Sequence, residues 1–121
     1  MKKILALVFI LCTLCSQVAF AASWYWIGQD TSGDQWYIDN ASVQKDYYNA
    51  IVWIKINKAD GESTVEQMKL DHVYKTYAIL AFTNYDSDGN VTDSGTNNYP
   101  SYDPIVPDSM GDAIYHNVWS N

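Results

Sequence analysis

The 121-residue sequence has no arginine, and its two cysteines, Cys12 and Cys15, both fall in the first stretch of chain. Histidine and proline are also scarce, with two and three residues. Each shortage excludes something. Seven lysines face fourteen acids, for a formal charge of −7. Nucleic-acid binding needs a basic face, so no nucleic-acid partner is expected, and anionic membrane surfaces are disfavoured for the same reason. Phosphate recognition leans on Arg forks or glycine-rich loops, and the chain has neither.

Chemistry is equally short of parts. A catalytic triad needs a histidine, an activated nucleophile and an orienting acid. His116 falls near the end of a helical segment, where the helix dipole accounts for it, and His72 falls at a junction between strands. No G-x-S-x-G elbow occurs. Two histidines without nearby cysteines make no zinc set, which takes three or four ligands. Asn84-x-Asp86-x-Asp88-Gly89 matches the start of a calcium loop, but Gly95 stands where the bidentate Glu belongs. The flanks also read as strands, so a hairpin turn is expected there. No catalytic residue, metal site or cofactor is expected. Asn40-Ala41-Ser42 and Asn90-Val91-Thr92 match glycosylation sequons and are read as chance.

The N-terminus is more specific. Lys2 and Lys3, the apolar run Ile4 to Leu14 and the A-x-A site Ala19-Phe20-Ala21 follow in the order of a secretory signal peptide. The run is short for a membrane span, which needs about 20 apolar residues, and neither cysteine follows the small residue that lipoprotein processing requires. Residues 1–21 are therefore expected to be a signal peptide, and 22–121 one exported domain, in the periplasm, at the cell surface or outside the cell. Losing Lys2 and Lys3 takes the charge from −7 to −9, and both cysteines leave as well. No disulfide, thiolate or membrane span then remains, and stability rests on packing. All five tryptophans and all ten tyrosines lie in the expected domain, and aromatic side chains bury much area each.

Period-two patterns recur along that domain. Trp24–Ile27 and Gln35–Asp39 read as strands joined by the polar turn 29–34. Asn40–Asp46 reads as loop. Ala50, Val52, Ile54 and Ile56 share one face of a strand, with Lys55 and Asn57 on the other. Val65, Met68 and Leu70 fit a strand or a short helix, and a strand is assigned to Ser63–Leu70. Tyr74–Tyr85 reads as a long strand with Ala78, Leu80 and Phe82 on one face. A turn at Asp86–Asn90 and a short strand Val91–Ser94 follow. Gly95–Pro104 reads as loop, broken by Pro100 and Pro104.

The period then changes. Ser109 with Asp112 three residues on resembles a capping box. Ile114 and Val118 fall on one helical stripe, Tyr115 and Trp119 on the next. The expected fold is α+β: an antiparallel meander of about five to six strands with one C-terminal amphipathic helix packed on it.

Aromatics are the remaining candidates for recognition. Trp24, Trp26, Trp36, Tyr47, Tyr48, Tyr99 and Tyr102 could stack on sugar rings, although most aromatics in such a domain belong in the core. Tyr99 and Tyr102 lie in the proline-flanked loop, and loops on a rigid sheet often hold binding residues, so these two are assigned as candidate binding residues.

The ordered set Trp24-Tyr25-Trp26-Ile27-Gly28, Trp36-Tyr37-Ile38-Asp39-Asn40-Ala41-Ser42, Val52-Trp53-Ile54-Lys55, Tyr85 to Val91 and Pro107 to Tyr115 resembles the surface-adhesin protein E-like domain family. The resemblance spans nearly all of 22–121. It implies a small antiparallel sheet with a C-terminal helix fixed to it, and a role at the bacterial surface in binding host extracellular-matrix protein. Such domains often tie helix to sheet with a cysteine pair. Here the corresponding positions are His72 and Trp119, which makes Trp119 the expected dock of the helix. No binding residue transfers. The expectation is an exported module that binds a protein partner, not an enzyme. The alternative is a periplasmic accessory or enzyme-inhibitor protein.

Overall fold

Alternating side chains decide the architecture. The computed structural model describes residues 21–120, so the expected signal peptide, Ala21 apart, lies outside the described residues, as does Asn121. Eight strands form one antiparallel sheet. They are β1 (Trp24–Gln29), β2 (Gln35–Asp39), β3 (Gln44–Lys45), β4 (Asn49–Asn57), β5 (Ser63–Asp71), β6 (Thr76–Tyr85), β7 (Val91–Thr96) and β8 (Asp103–Pro104). The main path runs β1-β2-β4-β5-β6-β7, with β3 beside β4 and β8 beside β6. Among the described residues a single helix, α1 (Met110–Val118), follows the last strand.

The α+β meander with its terminal helix is thus the observed fold. Ser63–Asp71 is a strand, which settles the segment that also fitted a short helix. Other boundaries shift. Lys45 pairs Ala50, so part of the expected loop 40–46 is strand. β7 continues to Thr96, and Pro104 pairs Thr76, which makes strand of both ends of the expected loop 95–104. A proline is tolerated at a sheet margin because its missing N–H faces no partner. Gly95 lies opposite Phe82, and a Cβ there would sit 3.1 Å from the Phe82 ring. The ring lies over the glycine and covers what is otherwise a gap in the strand.

One expectation about faces fails. Ala78 pairs Lys69, whereas Phe82 pairs Glu66, and the register shifts between Gln67 and Met68. Leu80 is the extra residue of a bulge, so Ala78 and Phe82 fall on opposite faces. A bulge flips alternation, and a pattern of small and large apolar residues does not reveal it.

The core lies between the sheet and α1. Ile38, Ala50, Val52, Ile54, Met68 and Leu70 pack against Ile114 and Val118, all essentially inaccessible. The helix starts as the sequence implies. Ser109 Oγ accepts the Asp112 N–H at 3.2 Å, and the Asp112 carboxylate takes the Asp108 N–H at 3.0 Å. An Asp side chain is shorter than Glu and reaches a different amide from the one in the standard box. At the other end the Lys45 ammonium donates to the Val118 carbonyl, the position that most favours a cation.

Trp119 and His72 supply a further tie. Their rings stack with centroids 4.4 Å apart and planes at 7°. The Trp119 indole N–H donates to the Asp46 carbonyl at 3.1 Å. The Tyr115 hydroxyl donates to the His72 carbonyl at 3.1 Å. Trp119 therefore docks the helix on the β3–β4 and β5–β6 turns, and it is half-buried, so full burial is not reached. Trp119→Ala is expected to cost about 2 kcal/mol, less than a fully buried aromatic loses. Urea unfolding of the variant would measure it, and a loss under about 0.5 kcal/mol, the level of an ordinary surface change, would show that Ile114 and Val118 hold the helix alone.

Candidate functional site

Helix α1 covers one face of the sheet, and register shows what the other face carries. Trp24 pairs Asp39, Trp26 pairs Tyr37, and Tyr37 pairs Lys55. Trp53 pairs Gln67, Ile51 pairs Lys69, and Lys55 pairs Val65. All of these side chains point away from the Ile38–Ile54–Leu70 core. Trp26 is 54% exposed, while Trp24, Tyr37, Trp53 and Val65 are half-buried by one another.

Trp53 is the centre of this surface. A hollow of about 280 Å³ on one side is shared with Ala22, Trp24, Ser42 and Val65. Another of about 350 Å³ on the far side is shared with Ala81, Thr83, Ser94 and Thr96. The Lys55 ammonium lies 5.7 Å from the Trp24 ring centroid, a cation–π distance. The Trp26 indole N–H donates to the Gln35 side chain at 2.7 Å. In a chain with seven lysines and fourteen acids, two lysines, Lys55 and Lys69, stand on this face.

Asp39 belongs to the same face but is turned inward to the backbone. Its carboxylate accepts the Ser23 N–H at 2.7 Å, the Ala41 N–H at 3.0 Å and the Ser42 hydroxyl at 2.7 Å. Burial pushes this carboxyl up, but the Ser42 hydroxyl and the Ser23 and Ala41 amides outweigh it and leave it below its ordinary value. It stays charged and latches the entry to β1.

The residues assigned from sequence fall elsewhere. Tyr99 is 91% exposed and Tyr102 46%, in the segment between β7 and β8, and the Tyr99 N–H bonds to Asn97. Neither makes an aromatic contact among the described residues, so the structure does not gather them with Trp24, Trp26 or Trp53. Both histidines are engaged. His72 Nδ1 donates to the Tyr47 carbonyl at 2.6 Å, and His116 Nε2 meets Asp112 at 3.2 Å. The calcium-like segment is a turn: the Asp86 carboxylate accepts the Asp88 and Asn90 N–H groups, Gly89 takes φ of 85°, and the Asn84 side chain accepts from Thr64.

Sequence reasoning missed Glu66. It lies on the helix-side face, opposite Ile54 and Phe82, at the edge of a cleft of about 430 Å³ bordered by Trp36, Met68, Tyr77, Ile79 and Met110. Burial pushes its carboxyl above the ordinary value. Its parity with Met68 and Leu70 is the signal that would have found it: an acid two residues before a core position shares the core face.

The class of the molecule is therefore an antiparallel meander sheet with one face under a C-terminal helix and the other, among the described residues, open and aromatic. No helix among the described residues is long and apolar enough to cross a membrane. Comparison with protein-family models, curated proteins and solved structures gives no match.

Proposed function

We propose that the chain is an exported binding module that engages a protein partner through the open sheet face centred on Trp53. The observation behind this reading is the arrangement itself, a half-buried tryptophan between two shallow hollows, flanked by Trp24, Trp26 and Tyr37. Recognition surfaces concentrate their energy in tryptophan, tyrosine and a few cations seated in such depressions. The resemblance to surface-adhesin protein E-like domains makes host extracellular-matrix protein the particular partner to test, and the expected signal peptide supports a location outside the cytoplasm.

The test is binding of the purified protein to immobilised matrix proteins. Trp53→Ala is expected to weaken binding by about 10- to 100-fold, the scale of an anchor residue. The double change Tyr99→Ala with Tyr102→Ala is expected to leave it within about 2-fold, the scale of contacts outside the anchors. No binding by the unaltered protein would end the adhesin reading. A loss confined to the tyrosine variant would move the contact surface to the β7–β8 segment. Labelling of intact cells separates a surface module from a periplasmic accessory protein.

A further inference from the structure

We propose that the cleft between the β5–β6 face and the start of α1 binds a small amphipathic cation, an ammonium group on an apolar body, with Glu66 as its counter-ion. The cleft holds about 430 Å³, within the usual range for small-molecule sites. It lies on the opposite side of the sheet from the aromatic face, so it stands apart from the partner surface. Its walls are Trp36, Met68, Ile79 and Met110, and Glu66 is the one charged side chain among the lining residues.

That arrangement is specific in what it lacks. Among the described residues the Glu66 carboxylate takes no hydrogen bond and meets no lysine, and burial disfavours its charged form. Ionising it there is costly until an opposite charge arrives. A bound ammonium supplies that charge, and its apolar chain covers the methionine and isoleucine walls. The positive end of the helix dipole does not oppose this, because the start of α1 is already served by the Ser109 cap and the Asp112 carboxylate. A chain with a formal charge of −7 also draws cations rather than anions. Tyr77 is the other titratable side chain in the lining.

The probe is n-hexylamine, with 1-hexanol as its uncharged counterpart, titrated into the purified protein and followed by NMR. Saturable shifts are expected at the Trp36 indole N–H and the amides of Ser109 to Gly111. Affinity should fall at least ~10-fold in Glu66→Gln and be at least ~10-fold weaker for hexanol, since one paired, partly desolvated charge is worth that much. Because the pair needs an ionised Glu66, the unaltered protein should also lose affinity as pH falls from neutral into the acid range. This second measurement stands even if the variant folds poorly. Equal affinity of amine and hexanol, a pH-independent affinity, an undiminished Glu66→Gln, or shifts confined to Trp24 and Trp53 would each overturn the proposal.

Discussion

Ile54→Ala is expected to destabilise the protein by about 3–4 kcal/mol, the range for deleting most of a fully enclosed aliphatic side chain. Ile54 is wholly inaccessible on β4, a central strand, and belongs to the cluster that receives Ile114 and Val118. Helix and sheet both close over it, so the cavity has little freedom to collapse. A domain of this size is stable by only about 5–15 kcal/mol, and the described residues include no cysteine to cross-link. The loss is therefore a large part of the total. Thermal unfolding should shift down by on the order of 15 °C or more. Urea unfolding followed by tryptophan fluorescence would give the free energy directly. A loss below about 1 kcal/mol, the level at which well-tolerated core changes sit, would mean that the cluster is not the centre of the fold.

Asp39→Ala is expected to cost about 2–3 kcal/mol, because removing this buried carboxylate leaves two amides and a hydroxyl without their charged acceptor. Its effect depends on pH with a definite sign. The folded-state pKa of Asp39 lies below the unfolded value. Its stabilisation is therefore complete above the unfolded pKa and is lost as pH falls through the folded one. Asp30, held down first by the Trp36 indole N–H, and Asp46, held down first by the Asn49 amide, add in the same direction. Glu66 works the other way. Its folded pKa is raised, so it favours the folded state when protonated and that advantage disappears as pH rises through the raised value. Melting temperature measured against pH should show a shallower acid limb for Asp39→Ala than for the unaltered protein. An identical limb would mean that the latch carries no charge in the folded state.

Periodicity alone determined most of the skeleton. Ala50, Val52 and Ile54 had to share a buried face because side chains alternate along a strand. Ser109 and Asp112 marked the helix start because a free N-terminal amide needs an acceptor. Local chemistry of this kind depends on neighbours within a few residues, and those the sequence displays. The flip at Leu80, the strand at Asp103–Pro104 and the stack of His72 on Trp119 depend on partners far along the chain, and only pairing reveals them.

The candidate sites divide the same way. Tyr99 and Tyr102 stood out because prolines flank their loop, yet exposure in a loop does not assemble a surface. Trp24, Trp26, Tyr37 and Trp53 come from three strands, and they become one face only through the β1–β2–β4 register. Their aromatic character equally suits a core, and the sequence could not say which, because one helix can cover only one side of a sheet and nothing local states which side that is. Glu66 became a cleft residue for a related reason: nine-residue α1 packs Ile114 and Val118 with Ile54 and Leu70, while Glu66 of nine-residue β5 shares a cleft with Ser109, Met110 and Gly111 at the helix start. The lengths of both elements were legible, but where the shorter one lies on the longer was decided by the packing of Ile114 and Val118 on the sheet.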